Sequence, residues 1–242
     1  MSDELIRRHA GHVTRLTLNR PTKANALSAA LVEALLDAVE YACTDGTRLI
    51  VLEGEGPHFC AGFDFTDYQT QSEGDLALRF LRIETLLQTL HHAPCATLAL
   101  AHGRVFGAGA DLVAACSQRI AAPGTTFRLP GLRFGVVLGT RRLALRIGTD
   151  RAREVLASSR TFAADEALRM GFLTAVAAPD VWPGLVEEAT RNVDQLNPAA
   201  TAALHRQTLP DTRADDMAAL AASVSTPGLK ERMRLYRESQ KT

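Results

Sequence analysis

The chain has 242 residues, 46% of them hydrophobic, and its 27 Lys and Arg balance its 27 Asp and Glu. That size and apolar content suffice for one large domain, or one and a half, with a substantial core. With a formal net charge of zero, no global field draws the chain to nucleic acid or an anionic membrane, and no uninterrupted run of about 18 apolar residues marks a membrane span.

The opening MSDELIRRHAGHVTRLTLNR holds no apolar h-region, so no signal peptide is expected. His12–Asn19 alternates apolar and polar residues and reads as a strand, ended by Arg20-Pro21. Ser28 is placed to cap a helix through Cys43, in which Leu31, Ala34, Leu35, Ala38, Val39 and Ala42 form one stripe. RLIVLEG is a second strand. LALRFLRIETLLQTLHH is a helix stopped before Pro94, and CATLALA is an apolar strand buried on both faces. The next segment, HGRVFGAGADLVAAC, turns tightly at Gly107-Ala108-Gly109 and launches an alanine-rich helix. Backbone N–H groups bared at such a helix start suit an anion; close strand-to-helix packing is the alternative explanation for the glycines.

Helices follow at TDRAREVLASS and at AADEALRMG, the second closed by Gly171, then a strand FLTAVAA. The remainder reads as helical, broken by Pro183, Pro198, Pro210 and Pro227. This order implies an α/β core with a helical C-terminal appendage. The four cysteines (Cys43, Cys60, Cys95, Cys116) are dispersed, without a C-x-x-C pair, and read as small buried hydrophobes of a reducing cytoplasm. GAGADL lacks the third glycine of a dinucleotide fingerprint, and neither a P-loop, a G-x-S-x-G elbow nor a metal-ligand histidine spacing is present. His91-His92, at a helix end, read as dipole-compensating or exposed groups.

Three separated segments, LTLNRPTKANALS, HFCAGFDF and AHGRVFGAGADLVAACS, together resemble in order and spacing the enoyl-CoA hydratase/isomerase, or crotonase, superfamily. GTRRL, REVLASSRTFAADEALRMGFLTAV and TPGLKERMRLYRES resemble its later landmarks, so the likeness covers nearly the whole chain. The resemblance implies a crotonase-like spiral of repeated ββα units over residues 1–185. It implies a C-terminal helical region at 186–242 that mediates trimers or a dimer of trimers. It also implies an acyl-CoA thioester substrate, with coenzyme A entering as part of the substrate rather than as a resident cofactor, and no metal.

By motif match, the family's two enolate-stabilising amides fall on Phe63 and Ala108, and the thioester handle on Thr22, Lys23, Ala24, Ala61 and Gly62. Lys23 reads equally as a phosphate contact and as a solvated lysine. The physical basis of the match is that a thioester oxygen gains charge as the α-carbon loses a proton or the β-carbon gains a nucleophile, and fixed donors aimed there lower the barrier.

Hydration in this family is commonly run by two glutamates. The first position falls on Asp111, one methylene shorter; the second falls on Gly131 of RLPGL, and the following turn is short. Asp111 therefore reads as a sole acid or base, or as a helix N-terminal acid favoured by the dipole alone. An enoyl-CoA hydratase/isomerase is the leading reading. A single-acid isomerase or other enolate chemistry, and a CoA-binding protein of degraded activity, are the alternatives. Asp64 is expected in a turn, and His58 and His102 as bonded loop residues. Phe59, Phe65 and Phe80 are expected in the core; Arg133, Arg141 and Arg142 either replace lost polarity or form surface or interface ion pairs.

Overall fold

The computed structural model describes residues 3–240. β1 (Leu5–Ala10) and β2 (Val13–Leu18) pair antiparallel, after which α1 (Ala29–Ala42) begins with the Ser28 hydroxyl accepting from Leu31 N–H at 3.0 Å. The expected stripe is buried except for the half-buried Ala34, and Val32 and Leu36 join it on the buried face of α1. β3 (Leu49–Gly54) lies parallel to β2. α2 spans Glu73–His91, three residues earlier than the apolar pattern suggests, because Ser72 and Asp75 form a reciprocal capping box. β4 (Ala96–Ala101) and β5 (Arg104–Phe106) lead through the glycine turn into α3 (Ala108–Ala115).

β6 (Gln118–Ala121) and β7 (Thr126–Arg128) precede α4 (Thr140–Ile147) and α5 (Thr149–Ser158). β8 (Phe162–Ala163) opens α6 (Ala164–Met170), which Gly171 closes. The expected strand at 172–178 shrinks to β9 (Ala175–Val176), since only those two residues pair with β6. α7 (Trp182–Asp194), α8 (Pro198–Thr208), α9 (Arg213–Val224) and α10 (Leu229–Ser239) complete the chain. Pro183 and Pro198 start helices rather than break them, where a missing N–H costs nothing.

The main sheet has the order β1-β2-β3-β4-β6-β9 and is parallel beyond the first hairpin. Alternation along the strands divides two cores. Leu49, Val51, Leu98 and Leu100 face Val186, Ala189 and Val193 of α7, while Ile50, Leu52, Ala99 and Ala101 face α1, α2 and α3. A second, smaller sheet, β5-β7-β8, is widened by two isolated parallel bridges, Leu27↔Phe63 and Cys60↔Val105. Those bridges insert the segment Cys60–Phe63 between Leu27 and β5, directly beside the start of α3. None of the helices of residues 3–240 is long and apolar enough to cross a membrane.

Candidate active site

The segment Ala61-Gly62-Phe63 sits in this second layer with its edges assigned by hydrogen bonding. Leu27 N–H donates to Gly62 O at 2.7 Å and Asp64 N–H donates to Leu27 O at 3.2 Å. In a parallel bridge of this kind the N–H of the middle residue, Phe63, points to the opposite edge. That edge faces β5 and the glycine turn: a Cβ on Gly62 would stand 2.5 Å from the Phe106 oxygen and 3.1 Å from the Ala108 nitrogen. Only glycine allows two backbones so close, and Gly62 also has φ +84°.

Ala108 is the first residue of α3, where no preceding turn supplies an acceptor. Among the described residues, neither the Phe63 nor the Ala108 N–H donates to a protein acceptor. Gly107, with φ 52° and ψ −127°, occupies a region closed to other residues, and its own N–H is spent on Arg128 O at 2.7 Å. Gly109 is needed for a different reason: a Cβ there would lie 2.4 Å from Cys60 O.

Phe63 and Ala108 both line a cavity of about 120 Å³. Ala61, Phe63, Ala108 and Asp111 all line it, so four of the eight residues singled out from sequence meet at one place. Gly62 lies between two of them. Thr22 and Lys23 are exposed on a 3₁₀ turn outside the cavity, joined to it where Ala61 N–H donates to Ala24 O at 2.9 Å.

Phe80 is buried in the core and Phe65 packs against it, as expected, and both are also wall residues of the cavity. With Phe63, Phe134 and Tyr236 they make an aromatic face, in which the Phe63 and Phe80 rings stack at 4.4 Å and Phe134 and Tyr236 lie 5.0 Å apart. Phe59 is fully buried outside the cavity, as expected. Arg79 lies over the Phe63 ring at 4.1 Å and donates to Asp64 O at 2.8 Å, fixing the turn that carries the Phe63 amide. Asp64 itself closes that turn, accepting from Thr66 N–H at 2.9 Å and pairing with Arg20 at 2.9 Å.

Among the described residues, Asp111 is the cavity's only carboxylate, and it is 3% exposed. Its Oδ1 is buried without a hydrogen-bond partner among the described residues. Burial pushes its carboxyl up to about 8; the nearby Arg142 charge pulls it down and the Glu84 charge adds to the rise. Gly131 also lines the cavity, so the second acid position brings no carboxylate to it.

Arg142 corrects the expectation of a surface or interface pair. It is 3% exposed and forms a two-pronged ion pair with Glu84 of α2, itself 1% exposed, with Nη1 at 2.8 Å from Oε1. Its Nε is left without a partner among the described residues. Nothing in the spacing of Glu84, Asp111 and Arg142 announced this arrangement. His91 is likewise buried rather than exposed; Nδ1 lies 3.1 Å from Ala115 O, and burial lowers its pKa to about 4. His58 and His102 are loop residues held by Arg104 N–H at 3.2 Å and by Gly56 O at 2.8 Å.

Comparison with known proteins agrees in fold and in sequence. A solved structure from Bordetella parapertussis, named as a candidate enoyl-CoA hydratase/isomerase, is 51% identical with a TM-score of 0.96, covering 97% of this chain and 98% of that one. Enoyl-CoA hydratase from Bacillus halodurans, 21% identical, shares the fold with a TM-score of 0.85, over 96% of this chain and all of that one. A Bacillus subtilis protein named "Probable enoyl-CoA hydratase" is 35% identical over 173 residues, which are 69% of this chain and 66% of that protein. The sequence model described as Enoyl-CoA hydratase/isomerase matches residues 8–241, and the chain belongs to that family.

Proposed function

We propose that this protein is an acyl-CoA enzyme of the hydratase/isomerase type. It holds a thioester oxygen between the Phe63 and Ala108 amides and uses Asp111 as acid and base. The observation that carries the reading is the pair of unspent amides on adjoining backbones, opening on a cavity with one buried carboxylate. When a proton leaves the α-carbon, charge moves to the thioester oxygen. Each preorganised donor there is worth about 3 kcal/mol of barrier, and the α3 N-terminus adds its dipole. The handle of the thioester runs along Thr22–Ala24 and Ala61–Gly62. We place the enzyme in the cytoplasm, in keeping with four free cysteines, as a homotrimer or dimer of trimers; light scattering on the purified protein tests the assembly.

The single carboxylate favours the isomerase arm of this reading. Adding water across a double bond asks for one group to activate the water and for a proton at the α-carbon. Moving a double bond asks only that one carboxylate take a proton from one carbon and return it to another. Asp111, with a carboxyl that titrates close to neutral pH, can be emptied and refilled in each cycle.

Short, long and branched enoyl-CoAs incubated in ¹⁸O-water test both levels. Shift of the double bond without label, abolished by Asp111→Asn while thioester binding persists, is the expected result. Label at the β-carbon would assign hydration. Thioester binding with no turnover, indifferent to Asp111→Asn, would mark a binding protein and overturn the proposal.

A further inference from the structure

Next to the acyl cavity lies a cleft of about 440 Å³ walled by Arg128, Arg133 and Arg232 together with Tyr236, Ser239 and Gln240. The two spaces share Arg128 and Tyr236, so they adjoin. Among the described residues, three guanidinium groups border the cleft and no acid does. Among the described residues none of the three arginines is paired with a carboxylate, whereas Arg142, Arg160, Arg213 and Arg234 all are.

The three have different tasks. Arg232 donates Nε to Phe134 O at 3.0 Å, Nη1 to Thr226 O at 2.8 Å and Nη2 to Ser223 O at 3.1 Å, so it braces the wall and contributes charge. Arg128 donates Nε to Ser159 O at 2.9 Å and Nη1 to Gln240 Oε1 at 2.6 Å. Arg133 donates Nη2 to Ser158 O at 2.8 Å. Among the described residues, Nη2 of Arg128 and Nε and Nη1 of Arg133 therefore have no protein acceptor. These two arginines converge on the Tyr236 phenol: burial raises its pKa, and the charges of Arg128 and Arg133 act on it in the opposite direction.

Gathering like charges beside an apolar cavity is unfavourable unless an anion joins them, and a guanidinium fork is shaped for a carboxylate. We infer that the cleft binds a carboxylate at the far end of the acyl chain, so that the preferred substrates are ω-carboxyacyl thioesters. The inference rests on the acyl-thioester reading above and narrows its substrate class. The phosphates of the coenzyme A handle are the other source of an anion. Of the residues expected to carry that handle, Ala61 borders the acyl cavity and none borders the cleft, which favours the acyl end.

Calorimetric binding of saturated acyl-CoAs separates the sources without requiring turnover. Matched pairs of four to six carbons would be used, ending in methyl or in carboxylate. The carboxylate-ended member is expected to bind about ten-fold tighter or better. Arg133→Met, an exposed position, should erase that advantage and leave the methyl-ended member unchanged, while Arg133→Lys retains part of it. Equal affinity of the pair for the wild-type protein overturns the inference. So does a loss in Arg133→Met shared by both members that vanishes with acyl-pantetheines, which lack the phosphates. If no acyl-CoA binds at all, the thioester reading fails and takes this inference with it.

Discussion

Asp111 is a side chain held against its own preference. In the folded chain it gives up its proton at about 8, against an ordinary value of about 4 in the unfolded chain. Between those values the folded state holds the extra proton, so this group lowers stability progressively as pH rises from about 4 to about 8, and the loss is complete above. Asp111→Asn should remove that slope and be more stable than the parent at pH 8, by on the order of several kcal/mol, read from denaturant midpoints across the pH range. Activity should move the other way. As the base that takes the α-proton, Asp111 gives a kcat/KM that climbs about ten-fold per pH unit and levels above about 8; a profile that falls through the same region would assign it as the acid. Gly139 makes the geometry possible: φ is +65°, and a Cβ there would lie 1.9 Å from Asp111 Oδ1. Gly139→Ala must therefore displace the carboxylate, and we expect kcat to drop by about two orders of magnitude while thioester affinity changes little, as measured by steady-state kinetics beside calorimetry.

The position of Asp111 depends in turn on how α2, α3 and α4 meet. Glu84 comes from α2, Arg142 from α4, and their buried ion pair lies beside the carboxylate that α3 presents. Taking away Arg142 strands the Glu84 charge inside the protein, whereas taking away Glu84 leaves Arg142 with Asp216 at 3.7 Å. Arg142→Met should cost about 3–5 kcal/mol and Glu84→Gln less. The double replacement should cost less than their sum, as a double-mutant cycle in urea will show. This junction also marks how far the sequence can be read. The stripe on α1, the Ser28 cap and the glycine turn with Asp111 in the first turn of its helix were legible because each is a local pattern. β1 was not, since LIRRHA leaves its last four residues exposed and so has no apolar alternation. β7 and β8, of three and two residues, are too short to carry a period. The aromatic wall and the Glu84–Arg142 pair escape sequence reading for a further reason: partners 58 residues apart are brought together only by helix packing.

Across the whole molecule, the cavity is closed by the far end of the chain. α7 crosses the expected boundary at 185/186 without a break, and its inner face buries the outer side of the main sheet. α10 buries Leu229 and Met233 completely in the larger core and sets Tyr236 against Phe134. Its start is fastened to α2, where Glu73 accepts from Gly228 N–H and Lys230 N–H, both at 3.2 Å. A helix tied into the core at several points cannot loosen without loosening the wall of the site. Met233→Ala leaves a void under α10 and should cost about 2–5 kcal/mol, lowering the midpoint of a single cooperative transition. The same change should raise KM for acyl-CoA more than it lowers kcat, because it acts on the aromatic wall and not on Asp111 or the two amides. Hydrogen exchange gives the decisive reading: if residues 229–239 belong to the core unit, their amides open with the same free energy as those of α2. A separate, lower-energy opening of α10 would instead show that the C-terminal region is an independently folding flap over a preformed site.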